Sequence, residues 1–204
     1  MYAPSPYLSK DPTIACNLID MIVMGTLVTC ENSMQGSPLP FMVNQKTDGK
    51  LRLISHMDRA NPLWKTLQNN QEVMVIFWGP NSYISPSIYT TSPRVPTWFF
   101  ATVHLKGIPR LIEDEDGLDT IVSDLSQFME KADSTWQISQ VANYKKRLLS
   151  AIVGFEIDVR SCQSQIRLGQ GNSSKDQNAV YQALSKGNPA EKQVAELMQQ
   201  LDLT

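Results

Sequence analysis

Residues 98–112, WFFATVHLKGIPRLI, form one long alternating run. Extended, the run puts Phe99, Ala101, Val103 and Leu105 on one face and Trp98, Phe100, Thr102, His104 and Lys106 on the other. The first face reads as core. The second mixes aromatic, polar and charged groups, so it suits a ligand, a partner subunit or both. A chain built round such a strand is a sheet protein, and its other segments agree. Residues 26–30, 38–45, 50–56, 83–85, 151–159 and 163–168 also read as strands. EVMVIFW, residues 72–78, is continuously apolar, as in a strand buried on both faces, and Gly79-Pro80 should break it. Asp48-Gly49 is a hairpin signal. In residues 50–56 the alternation sets Arg52, Ile54 and His56 against Leu51, Leu53 and Ser55.

Helices are fewer. One starts near Ser9 or Asp11, carries Pro12 in its first turn, and should end at Gly25. A short one opens at Asn61-Pro62. Residues 114–131 carry apolar groups at helical spacing behind an acidic first turn, and residues 139–149 end in Lys145, Lys146 and Arg147. Two more, about 176–186 and 189–201, close the chain. Many strands with few helices predict a mainly β, α+β fold: an antiparallel, Greek-key-like barrel rather than an alternating α/β sheet. Residues 1–168 would form the barrel domain and 169–204 a helical tail.

Composition narrows the function. With 204 residues, 42% hydrophobic and 19% charged, the chain can build a full core. A net charge of −2 offers no basic stripe for nucleic acid. The closing helices could be drawn as a helix-turn-helix, but Lys175, Lys186 and Lys192 are balanced by Asp176, Glu191, Glu196 and Asp202. DNA is therefore a partner without support from charge. Three scattered cysteines, no apolar leader and no membrane-length run point to a soluble cytoplasmic protein. Two histidines make no metal-ligand cluster. Ser82, Ser85 and Ser87 lie in no nucleophile motif and read as loop residues.

The strings SHMDRANPLW, GPNSYISPSIY, VPTW, VHLKGIPRLI and AIVGFEI occur in this order. With them, residues 1–170 resemble the PaiB family of FMN-binding negative transcriptional regulators, relatives of the pyridoxamine-phosphate-oxidase-like flavoproteins. The resemblance implies a split β-barrel, a homodimer, and FMN held between subunits. It departs from the family pattern in three places. Asp58 stands where alanine is usual, Phe99-Phe100 where an asparagine-aromatic pair is usual, and Gly169-Gln170-Gly171 where serine-glutamine-asparagine is usual.

The chemistry of these segments fits such a ligand. A phosphate dianion needs a fixed cation, hydroxyls and backbone N–H groups. Ser55, His56, Arg59, Ala60 and Asn61 supply a strand end, a turn bearing an arginine, and a helix start. The plainer alternative is a capped turn with a surface Arg59 paired to Asp58. Phe41 and Met42 offer backbone contacts for the ring edge, and Trp98 a flat wall, although each is equally at home in a core. Thr102 and His104 lie on the mixed face, against the cofactor or at a dimer interface. FMN is the expected cofactor, with haem on His56 or His104 second. If the protein is an enzyme, the flavin carries the redox chemistry, and no residue names the substrate. A flavin-independent regulator is the rival.

Overall fold

The computed structural model describes residues 1–45 and 49–204. The described residues form eight strands: β1 (Leu8–Ser9), β2 (Met24–Cys30), β3 (Met34–Pro40), β4 (Met42–Gln45), β5 (Leu51–Asp58), β6 (Val73–Ile84), β7 (Thr97–Ile112) and β8 (Ile152–Arg167). The helices are α1 (Pro12–Ile22), α2 (Glu115–Met129), α3 (Ala142–Leu148), α4 (Ser174–Leu184) and α5 (Pro189–Gln200). The strands form one sheet in the order β3-β2-β6-β7-β8-β5-β4, with β1 paired to β8. Every strand pairing whose register is known is antiparallel. The fold is a split barrel with flanking helices.

The chain divides into two compact units. One comprises Met1–Leu18, Trp78–Val103 and Gln163–Thr204; the other comprises Ile19–Phe77 and His104–Cys162.

In the second unit the two edges of the sheet are joined locally. Strands β3 and β4 stand at opposite ends of the sheet order, yet a single residue, Phe41, joins them. The two edge strands therefore come together at that residue without pairing in the sheet order. Phe41 is fully buried there, edge-on to Phe77 at 5.6 Å and to Phe155 at 6.1 Å. Its N–H donates to the Val23 carbonyl. The expected single strand over 38–45 is therefore two strands serving two different edges. Gly25 does not end the first helix: α1 stops at Ile22, and Gly25 lies inside β2 opposite Phe77. Val23 makes the reversal instead, at φ +58°.

Strand β5 alternates as expected, with Leu51, Leu53, Ser55 and Met57 buried. Gly49, at φ +80°, precedes it, while Asp48 of the expected turn lies outside the described residues. His56 pairs with Gly154 of β8, so both face the same side of the sheet. That side carries α2, because a Cβ on Gly154 would stand 2.7 Å from Ile121. Helix α2 begins at Asp114, whose carboxylate accepts the Gly117 N–H, and it buries Leu118, Ile121 and Leu125.

Two strand expectations change. Within one chain the 72–78 run buries one face: Val73, Val75 and Phe77 point inward, while Trp78 is 59% exposed, which leaves the expected burial inside the barrel for one face and burial against a second subunit for the other. Gly79-Pro80 does not break the strand, which continues through Tyr83 to Ile84. Likewise residues 151–159 and 163–168 belong to one strand, β8.

In the first unit the chain end is helical. Ser173 caps α4, and Asn188 with Glu191 closes a reciprocal capping box on α5. Helix α5 buries Val194, Ala195, Leu197 and Met198. No described helix is long and apolar enough to cross a membrane.

Candidate functional site

The segment Ser55–Asn61 is the end of β5, a tight turn and the start of a short 3-10 helix, Pro62–Asn69. Asp58 makes the turn: its Oδ1 accepts the Ala60 N–H at 2.7 Å and its carbonyl accepts the Asn61 N–H at 2.9 Å. Asn61 caps the following helix, its Oδ1 accepting from the Leu63 N–H, and its Nδ2 donates to Ser37 Oγ at 3.0 Å.

Arg59 is held on every side. Its N–H donates to the Ala151 carbonyl, and its own carbonyl accepts the Trp64 indole N–H at 3.0 Å. Its Nη1 pairs with Glu113 at 3.0 Å, its Nη2 donates to the Ile152 carbonyl at 3.2 Å, and its guanidinium lies 5.6 Å from the Trp64 ring centre. Among the described residues two of the five guanidinium N–H groups are engaged, which leaves three for an incoming anion. The cation is thus positioned without being consumed. The pairing of Arg59 with Asp58 in the plainer alternative is not made, because the Asp58 carboxylate turns back onto its own backbone.

Ser55 and His56 point to opposite faces. Ser55 is buried and its hydroxyl donates to the Pro40 carbonyl at 2.6 Å, tying β5 to the end of β3. His56 is half-buried on the α2 side, and burial pushes its pKa below the usual histidine value. Its Nδ1 is buried and has no hydrogen-bond partner among the described residues. A buried polar atom in that condition costs free energy, so it marks a place that suits a polar ligand group.

The other sequence candidates separate. Phe41 and Met42 are both buried, Phe41 in the barrel core and Met42 paired with Ile54. His104 is half-buried on β7, and burial again lowers its pKa. In the first unit, Thr102 is buried, while Trp98 is 53% exposed and sits edge-on to Tyr83 at 6.0 Å. Beside them Trp78 stacks on Phe100 at 5.7 Å, with ring planes 14° apart. Ser85 and Ser87 hydrogen-bond to each other within a loop start, as expected of turn residues.

A family model described as "Putative FMN-binding domain" matches residues 1–161. The chain belongs to this family. Protease synthase and sporulation protein PAI 2 of Bacillus subtilis is 31% identical over 205 residues, covering 98% of this chain and 97% of that protein. This places the PaiB resemblance on firm ground. Two solved structures share the fold. Flavocytochrome Anf3 from Azotobacter vinelandii has a TM-score of 0.61 at 14% identity, covering 82% of this chain and 73% of that one. The FAD and heme binding protein from Mycobacterium smegmatis has a TM-score of 0.57 at 14% identity, covering 85% of this chain and 80% of that one.

Sequence reasoning missed Glu113, Trp64 and the Ile152 carbonyl as the groups that fix Arg59. Trp64 reaches Arg59 from the short helix five residues on, while Glu113, just past the end of β7, and the Ile152 carbonyl of β8 are brought there by the sheet register. It also missed Arg94, Arg167 and Asp176. A lone buried aspartate in a predicted helix start, with an arginine in a proline-rich loop, was the available signal.

Proposed function

We propose that the chain binds FMN, that the phosphate is received at the turn carrying Arg59, and that the working form is a homodimer. The observation that carries this reading is the family match over residues 1–161, and the geometry of the turn supports it. Arg59 presents a pinned guanidinium with three N–H groups to spare, and phosphate takes a forked cation well. Its fixation by Glu113 and Trp64 lowers the entropy lost on binding. His56, kept neutral by burial, offers Nδ1 to a polar group of the ligand. When bound, the flavin supplies the redox chemistry, either for an oxidoreductase or for a flavin-linked regulator.

The dimer reading rests on the first unit. Trp78, Tyr83 and Trp98 are 59%, 47% and 53% exposed, and three such rings together are unusual on a bare monomer surface. A second copy would cover them across a two-fold axis.

The test is an absorbance spectrum after incubation with FMN and gel filtration, with light scattering on the same peak. Flavin absorbance in a dimer peak supports the proposal, whereas a Soret band would favour haem. Arg59→Ala should weaken FMN roughly 10- to 150-fold with the fold intact. A colourless protein, or an unchanged titration in that variant, sinks the assignment.

A further inference from the structure

A second cationic cleft lies in the first unit, between the 89–97 loop and the end of β8. It has a volume of about 330 Å³, and its walls include Tyr7, Tyr89, Arg94, Pro96, Phe99 and Arg167. We propose that it binds a small organic anion, a carboxylate or phosphate monoester with an apolar body. Nothing in this assignment depends on the flavin reading.

Arg94 is set in place from behind. Asp176 of α4 is 0% exposed and accepts from the Thr90 N–H at 2.8 Å, the Thr90 hydroxyl at 2.8 Å, the Thr91 N–H at 3.2 Å and the Thr91 hydroxyl at 2.6 Å. It also pairs with Arg94 Nη2. Arg94 further donates from Nε to Thr91 Oγ1 at 3.0 Å and from Nη1 to Asn172 at 3.1 Å, and its guanidinium lies 4.8 Å from the Tyr89 ring centre.

Arg167 stands differently. It donates from Nη2 to Thr97 Oγ1 at 2.9 Å and lies 5.6 Å from the Tyr7 ring centre. It has no carboxylate within ion-pair distance among the described residues. No acidic residue lines the cleft. Two arginines and one buried aspartate leave a formal +1 (2 − 1) around it.

A structural ion pair would need only Arg94 and Asp176. The second guanidinium, exposed, beside the Tyr7 ring and lining the same cleft with no ion-paired carboxylate among the described residues, is what calls for a ligand anion. Forked guanidiniums suit carboxylate and phosphate oxygens alike. Pro93, Val95, Pro96 and Phe99 give the remainder of the ligand an apolar bed. The volume is at the small end for ligand sites and suits an anion with a single substituted ring.

The experiment is calorimetric titration of the full chain with phenyl phosphate, benzoate and inorganic phosphate, repeated on Arg59→Ala and on Arg167→Gln and Arg167→Lys, each with and without Arg59→Ala. We expect saturable binding of phenyl phosphate or benzoate, tighter than inorganic phosphate; which of the two binds better tells which oxyanion is preferred. Arg167→Gln should weaken it roughly 10-fold or more and Arg167→Lys less, in the wild-type and in the Arg59→Ala background alike. Absence of saturable binding to the wild-type chain overturns the proposal. So does equal affinity in Arg167→Gln. Loss of binding in Arg59→Ala alone, or stoichiometric displacement by FMN, would assign the anion to the flavin site and equally overturn it.

Discussion

The ring of Phe99 fills the space that a side chain on residue 169 would occupy: a Cβ on Gly169 would lie 2.6 Å from Phe99 Cζ. Gly169 also sits at φ +83°, where an L side chain is strained. Phe99 and Gly169 therefore share one space. Gly169→Ala should cost about 1–3 kcal/mol from crowding and about 1–2 kcal/mol from the left-handed backbone. In a Phe99→Ala background the crowding part should shrink, leaving the 2.7 Å approach to Asn172 Nδ2. Urea denaturation of the four proteins should give a coupling of about 0.5–3 kcal/mol; strict additivity would mean the two residues are independent.

Asp58→Asn separates charge from turn geometry. The amide oxygen still accepts the Ala60 N–H, and the ion pair of Arg59 with Glu113 is untouched. Removing the negative charge should relieve repulsion of the phosphate by on the order of 1 kcal/mol, about 5-fold in FMN affinity. The gain should fade as salt rises. Weaker binding would show that the carboxylate itself serves the site.

Asp176 and His56 both contribute to acid stability. Hydrogen bonds from the Thr91 hydroxyl, then from Thr90 and Arg94, hold the Asp176 carboxyl well below the ordinary carboxylate range. A depressed pKa stabilises the fold at pH values above the unfolded-state value, and that contribution is lost as pH falls below about 4. His56, depressed by burial, is native as the neutral ring, so its contribution is present above about pH 6.5 and lost as pH falls from there. Asp176→Asn should therefore be less stable at neutral pH and show a flatter decline below pH 4, while His56→Gln should flatten the decline below pH 6.5. Melting curves across pH that parallel the wild type would refute the corresponding assignment.

Val23 is a β-branched residue at φ +58°. That conformation costs roughly 1–2 kcal/mol for a residue with a Cβ, and asparagine tolerates it best. Val23→Asn should raise the denaturation midpoint by the equivalent of about 1 kcal/mol. Val23→Gly should gain less, since glycine adds freedom to the unfolded chain. A fall in stability for both would show that Val23 packing outweighs its backbone.

Periodicity made most strands legible. Alternation in 50–56 and 98–112 placed Leu53 and Val103 inward and His56 and Trp98 outward because a strand alternates whatever its neighbours are. The break at Phe41 was not legible, since a strand that changes edges keeps the same local pattern on both sides. Gly79-Pro80 looked like a stop because both residues weaken strands, but β6 runs through them. In the candidate site, the Arg59 turn could be read from Asp58, Asn61 and Pro62, which act on near neighbours. Its partner Glu113 could not, because a pairing across 54 residues depends on register that no local signal carries.

The family match ends at residue 161, yet the buried aspartate that organises the 89–94 loop lies at 176. A fragment trimmed to the shared stretch would discard α4 and the last residues of β8. Thr90, Thr91 and Arg94 would lose their common acceptor, and one cation would be stranded without its counter-ion. The C-terminal helices are therefore not an interchangeable appendage. A gene fusion or tail swap made at the family boundary should yield a protein that is readily clipped by proteases in the 86–96 loop.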